Sequence, residues 1–146
     1  MRILLVNGPN LNTLGTREPE IYGTTTMPEI EESVRARAAS LGADVRCFQA
    51  NGEGQIIDWL QQEQKDADGL IINAGALTHY GIALRDAVAA CDFPVVEVHI
   101  SNVYKRERFR HRSLLSPVVS GTIVGLGTHG CLLTIKAVVR LVKGAE

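Results

Sequence analysis

Thiols are scarce in this sequence. Its three cysteines, Cys47, Cys91 and Cys131, are odd in number, widely separated and free of any CxxC or zinc-ligand spacing. That argues against a disulfide framework or a thiolate metal site, and leaves them as core filler in a reduced, intracellular protein. Nor does any apolar run approach the ~18 residues of a membrane span. Only Ile3-Leu4-Leu5-Val6 precede Asn7-Gly8-Pro9, too few apolar residues for a signal peptide, so the expected location is the cytoplasm. Net charge is nearly absent: 15 Lys and Arg against 16 Asp and Glu give −1, with no pull towards nucleic acid or an anionic membrane. Repeats, low-complexity tracts and linkers are missing too. A chain of this length buries ~70% of its unfolded surface, so residues 1–146 read as a single domain.

What the sequence does hold is alternation. Short β-branched runs at Arg2–Val6, Asp44–Phe48, Gly69–Ile72, Pro94–Ile100 and Thr122–Val124 are separated by helical patterns. The helices are expected near Pro28–Leu41, Gly54–Lys65, Ile82–Cys91 and Thr128–Val142, with Thr26 as N-cap of the first and Pro28 in its first turn. This order implies an α/β fold with a five-stranded parallel sheet, right-handed crossovers and helices on both faces. The expected form is a flavodoxin-like three-layer sandwich of strand order 2-1-3-4-5, whose ligands bind beyond the carboxyl ends of the strands. Three polar segments fall there: the loop after the first strand, Asn73 to Gly81 after the third, and Glu97 to Asn102 at the end of the fourth.

The first of these is oddly long. Residues 7–23, NGPNLNTLGTREPEIYG, far exceed the ~2–6 residues usual for such a connection, and a loop that long is usually functional or disordered. Two other signals mislead. Gly125-Leu126-Gly127-Thr128-His129-Gly130 fits GxGxxG, but no strand with an acidic residue follows it, and its glycines read as packing at a strand-to-helix turn. Asn7 and Asn73 stand where a receiver domain would need acidic residues, which disfavours phosphoacceptor chemistry.

Several side chains at the strand ends carry possible chemistry. Glu97 and His99 are two apart on a strand and so share a face. A carboxylate beside an imidazole favours and orients its charged form, as a general acid requires, although a structural ion pair has the same signature. The pair lacks a third ligand at suitable spacing, so no metal is expected. Arg17 and Tyr22 either decorate a surface loop or form a base, since a cation held near a phenol favours its phenolate. The basic run Lys105 to Arg112 is a solvated surface or the source of one Arg for a carboxylate; as a helix it would put Arg106 and Arg110 on one face. His111 is expected to face solvent or an anion, and His129 to cap or pack at a helix start.

Read together, Asn7-Gly8-Pro9-Asn10-Leu11-Asn12, Gly15-Thr16-Arg17-Glu18-Pro19 with Tyr22-Gly23, Thr78-His79 with Leu84-Arg85-Asp86, Glu97-Val98-His99-Ile100-Ser101-Asn102, Phe109-Arg110-His111, Ser116-Pro117 and Gly125-Leu126-Gly127 closely resemble the type II 3-dehydroquinate dehydratases along the whole chain. The resemblance implies a single catalytic domain that converts 3-dehydroquinate to 3-dehydroshikimate by anti elimination of water through an enolate. It implies a homo-oligomer, a dodecamer built of trimers, without cofactor, metal or Schiff-base lysine. The four lysines, at 65, 105, 136 and 143, lie outside the strand-end motifs, in agreement.

By the same resemblance Tyr22 is the base, Arg17 its activating cation, Asn10 the holder of a water that stabilises the enolate, and His99 the acid oriented by Glu97. Asn73, His79, Arg110 and the backbone of Ile100 and Ser101 bind the substrate. Asp86 reaches a neighbouring subunit's site, and the long loop is a hinged lid carrying the base. This chain has Ala74 where relatives often have Pro, Gly81 where they commonly have Ser, and Tyr104 where they commonly have His. The alternative is a catalytically weak or inactive relative that binds dehydroquinate-like ligands.

Overall fold

The computed structural model describes residues 1–144; the last two positions of the expected domain lie outside the described residues. Five strands, β1 (Arg2–Asn7), β2 (Asp44–Gln49), β3 (Gly69–Asn73), β4 (Val95–His99) and β5 (Gly121–Val124), form one sheet. Every neighbouring pair is parallel and the order is β2-β1-β3-β4-β5, the flavodoxin-like arrangement expected. The helices are α1 (Pro19–Tyr22), α2 (Met27–Ser40), α3 (Glu53–Glu63), α4 (Ile82–Ala89) and α5 (His129–Val142). None among the described residues is long and apolar enough to cross a membrane.

Period-two alternation sorts each strand into two cores. Ile3, Leu5, Ile71, Val96 and Val98 face α2 and α5, where Ile30, Val34, Ala38, Ile135 and Val138 meet them. Leu4, Val6, Leu70, Ile72 and Val95 face Ile56 and Leu60 of α3 and Leu84 and Val88 of α4. The central strands are therefore apolar on both sides, as parallel sheets covered by helices require. Each fully buried Leu, Ile or Val contributes roughly 1.5–3 kcal/mol relative to exposure. A one-residue slip of β4 would exchange its two faces, so this packing also fixes where Glu97 and His99 point.

Local chemistry sets the boundaries. Thr26 Oγ1 accepts from the Glu29 N–H at 3.4 Å and Pro28 sits in the first turn of α2, as expected. One α-helix was not expected: the single turn α1 inside the long loop. The basic run is not one helix but two 3₁₀ turns, Val103–Lys105 and Arg108–Arg110, broken by extended backbone at Arg106. Gly125, at φ +86°, belongs to the glycine-rich turn before α5, and a Cβ there would lie 2.9 Å from that of Asn102. Its role is close packing. Cys131 is buried and Cys47 and Cys91 half-buried, and burial pushes each thiol up to about 11.

Candidate active site

β1 and β3 end side by side, Asn7 opposite Asn73, and the chain leaves them in opposite directions. A crevice opens there by topology alone. Its floor is tight: the Gly8 N–H donates to the Asn73 carbonyl at 2.8 Å, and a Cβ on Gly8 would lie 2.4 Å from the Ala74 carbonyl oxygen. Ala74 itself is fully buried against this contact.

The long loop is anchored before it crosses the crevice. Leu11 and Leu14 are buried with Met27 and Ile30 of α2, and the Asn10 N–H donates to Asn51 Oδ1 at 3.0 Å. Gln49 Nε2 supports the same corner through the Gly8 carbonyl and Asn51 Oδ1, both at 3.2 Å. Two non-glycine residues of the loop, Asn10 at φ 70° and Glu18 at φ 39°, adopt the left-handed region that few such residues occupy. The second makes the reversal. From Glu18 the backbone turns into α1, its carbonyl accepts from the Ile21 and Tyr22 amides, and the Tyr22 ring swings back against the core.

Two guanidiniums meet that ring. The Arg17 guanidinium carbon lies 5.2 Å from its centre and that of Arg106 5.4 Å. The hydrogen bond to the phenol oxygen comes from Arg106, whose Nη1 donates to Tyr22 Oη at 2.7 Å and to Ser101 Oγ at 3.3 Å. Arg17, expected to be the activating cation, lies beside the ring, and the hydrogen bond comes from Arg106. Arg106 Nε is buried without a hydrogen-bond partner.

The strand-4 pair forms as its spacing predicts. His99 Nε2 donates to Glu97 Oε2 at 2.7 Å, which leaves Nδ1 for the cleft. Glu97 is fully buried yet surrounded by donors: Thr78 Oγ1 to Oε2, Ser113 Oγ to Oε2 at 2.8 Å and to Oε1 at 3.0 Å, and Ser116 Oγ to Oε1 at 3.0 Å. Burial pushes its carboxyl up, but the bonds from His99, Thr78 and Ser113 and the His99 charge outweigh it and hold the group below the ordinary carboxylate value. His79 Nδ1 donates to the Arg112 carbonyl at 2.7 Å, and burial, with the charges of His99 and Arg110, lowers its basicity. Its Nε2 is then an acceptor.

The resulting cleft holds about 520 Å³ counting its open mouth, and is lined by Asn10, Arg17, Tyr22, Asn73, His79, His99, Ile100, Ser101 and Arg110 together with Arg106. Glu97 stands behind His99. Asp86 is not brought in: it lies exposed on α4, 3.9 Å from the Arg85 guanidinium. Sequence reasoning gave no role to Arg106 or to the hydroxyls around Glu97. The basic run was the only hint of the arginine, and serines and threonines in loops carry no pattern of their own. Among the described residues no group of three or more His, Cys, Asp or Glu is arranged to hold a metal.

Comparison with known proteins agrees with the motifs. The family Dehydroquinase class II matches residues 1–139. A 3-dehydroquinate dehydratase of Roseiflexus castenholzii is 57% identical over 93% of this chain and 87% of its own length. One from Halothermothrix orenii is 53% identical over 97% of this chain and 96% of its own. The crystal structure of type II dehydroquinase from Propionibacterium acnes superposes with a TM-score of 0.91 at 42% identity, covering 95% of this chain and 96% of that one. Fold, cleft and sequence thus lead to one assignment: the chain belongs to the class II dehydroquinase family.

Proposed function

We propose that this cleft converts 3-dehydroquinate to 3-dehydroshikimate by anti elimination of water, with Tyr22 as base and His99 as acid. Family membership makes the chain a hydro-lyase, a type II 3-dehydroquinate dehydratase. The observation that carries the residue roles is the pairing of two opposite functions in one cleft: a phenol oxygen bonded to a guanidinium, and an imidazole bonded to a buried carboxylate.

The chemistry follows from those charges. The phenolate oxygen of Tyr22 takes the proton α to the ketone, and the C–H electron pair moves onto the carbonyl oxygen as an enolate. Arg106, bonded to that oxygen, and Arg17, over the ring, are the cations that face the base. A water held by Asn10 stabilises the enolate. Its collapse forms the carbon–carbon double bond and expels the β-hydroxyl, which leaves as water with the proton of His99 Nδ1. Glu97 fixes the ring through Nε2 and balances its charge. Arg110, Asn73, His79 and the backbone of Ile100 and Ser101 hold the substrate's carboxylate and hydroxyls. The whole chain acts as one catalytic unit in a dodecamer of trimers in the cytoplasm, and Asp86 reaches into a neighbouring subunit's cleft.

Purified protein mixed with 3-dehydroquinate develops the ultraviolet absorbance of a conjugated enone. Tyr22→Phe abolishes that signal while calorimetry still shows ligand binding. Near-normal turnover of Tyr22→Phe would remove Tyr22 as base, and a silent parent enzyme would favour the inactive relative.

A further inference from the structure

A fully buried carboxylate that stays charged without an arginine or lysine beside it needs another source of stabilisation. Among the described residues the ion-pair partner of Glu97 is His99, which is charged only when protonated. The remaining donors are three hydroxyls, and their protons can be counted.

Ser113 Oγ accepts the backbone N–H of Leu115 at 3.1 Å and of Ser116 at 3.0 Å. Its acceptor capacity is therefore filled, and its own proton points to the carboxylate. Thr78 Oγ1, 2.8 Å from Ser113 Oγ, sends its proton to Glu97 Oε2. Ser116 Oγ serves Oε1. The turn carrying both serines is tied to the loop after β3, because the Leu114 N–H donates to the Thr78 carbonyl at 2.7 Å. Two backbone amides thus polarise one serine hydroxyl, which in turn faces the carboxylate.

We propose that Ser113, supported by Thr78 and Ser116, is a positioning residue that keeps Glu97 ionised, so that His99 stands in the cleft as a proton donor. None of the three hydroxyls lines the substrate cleft; they border a smaller cavity behind the pair. The titratable and charged groups on that cavity are His99 from β4, His79 from the loop after β3, and Tyr104, Arg110 and His111 from the segment after β4, while β5 contributes only Thr122 and Val124. The inference rests on the Glu97–His99 pair being the acid of the proposed reaction.

Its test reads the carboxyl directly. Infrared titration of the assembled enzyme follows the protonated carboxyl band of Glu97, assigned by its loss in Glu97→Gln. Ser113→Ala destabilises the charged form only, so the protonation midpoint rises by about one pH unit, a tenfold change in the proton affinity. With substrate, the acid limb of the kcat–pH profile moves up by the same unit, about tenfold in proton concentration, while KM stays within about twofold, as expected for a group that acts through another residue. Ser113→Thr restores the hydroxyl and both values. Should Ser113→Ala fail to assemble, Ser116→Ala, at an exposed serine, gives a smaller shift of the same sign. An unmoved midpoint in the folded Ala variant overturns the inference. Absence of enone formation by the parent enzyme would instead overturn the dehydratase reading, and the infrared titration is independent of turnover.

Discussion

Two glutamates are buried at opposite ends of the same sheet, and they are held in opposite ways. Glu63, 6% exposed, closes α3 near the amino ends of the strands. Its Oε2 accepts from Arg2 Nη2 at 2.8 Å and Arg46 Nη1 at 3.1 Å. Glu97, 0% exposed, lies near the carboxyl ends and meets three hydroxyls and one imidazole. Arginine is permanently charged, so both cations that meet Glu63 are fixed. Among the described residues the ion-pair partner of Glu97 is an imidazole, which is charged only when protonated. Glu63 is thus matched by fixed charge, and Glu97 by neutral donors and an imidazole.

The comparison breaks first under paired amide substitutions. Glu97→Gln keeps the shape but removes the charge behind His99, the proposed acid. We expect turnover to fall ~10²- to 10⁴-fold, the range of a general acid–base contribution, with the melting temperature within a few degrees of the parent. Steady-state assays and calorimetry on the same preparation check both halves. Normal turnover in Glu97→Gln would reduce the pair to a structural contact.

The converse substitution is smaller in effect. Glu63→Gln leaves turnover within about twofold and lowers stability by about 1 kcal/mol, a discounted value because the two arginine side chains are 30% and 51% exposed and screened by solvent. Added salt narrows the difference between variant and parent, since screening acts on these partly exposed ions. Denaturant melts at low and high ionic strength measure it. A turnover loss matching that of Glu97→Gln would show that the two ends of the sheet are not separate in function.

The difference between the two ends was partly legible in the sequence. Glu97 and His99 could be paired because a strand repeats every two residues, and the apolar Val96 and Val98 between and beside them fixed which face was which. The layers were legible for the same reason, and the helix boundaries fell within one or two residues where a cap such as Thr26 marked them. Arg106 was not legible as the partner of Tyr22. The two lie 84 residues apart, and the contact depends on an extended break between two 3₁₀ turns that a basic run does not announce. Ser113 was hidden for another reason: its importance comes from two amides it accepts and one carboxylate it faces, all tertiary facts. Asp86 shows the opposite limit, a motif residue that the single chain leaves in solvent, away from its own cleft.

Acid tests the setting of Glu97 by the smallest effect, on stability alone. The carboxyl of Glu97 lies below its ordinary value of 4.5, so the unfolded chain binds its proton more readily. Stability from this group is complete above about 4.5 and is lost as pH falls through the lower folded-state value. His79 acts earlier with the same sign: its imidazole is lowered from 6.5, the unfolded ring takes the proton first, and stability declines as pH drops below 6.5. Melting temperatures between neutrality and mild acid should therefore decline in two stages for the parent. Glu97→Gln keeps the first stage, which belongs to His79, and lacks the second, so its curve and the parent's converge in acid. Parallel curves for parent and Glu97→Gln below about 4.5 would mean that the hydroxyls and His99 do not favour the ionised carboxyl. The hydrogen bonds around it would then be geometry without electrostatic consequence.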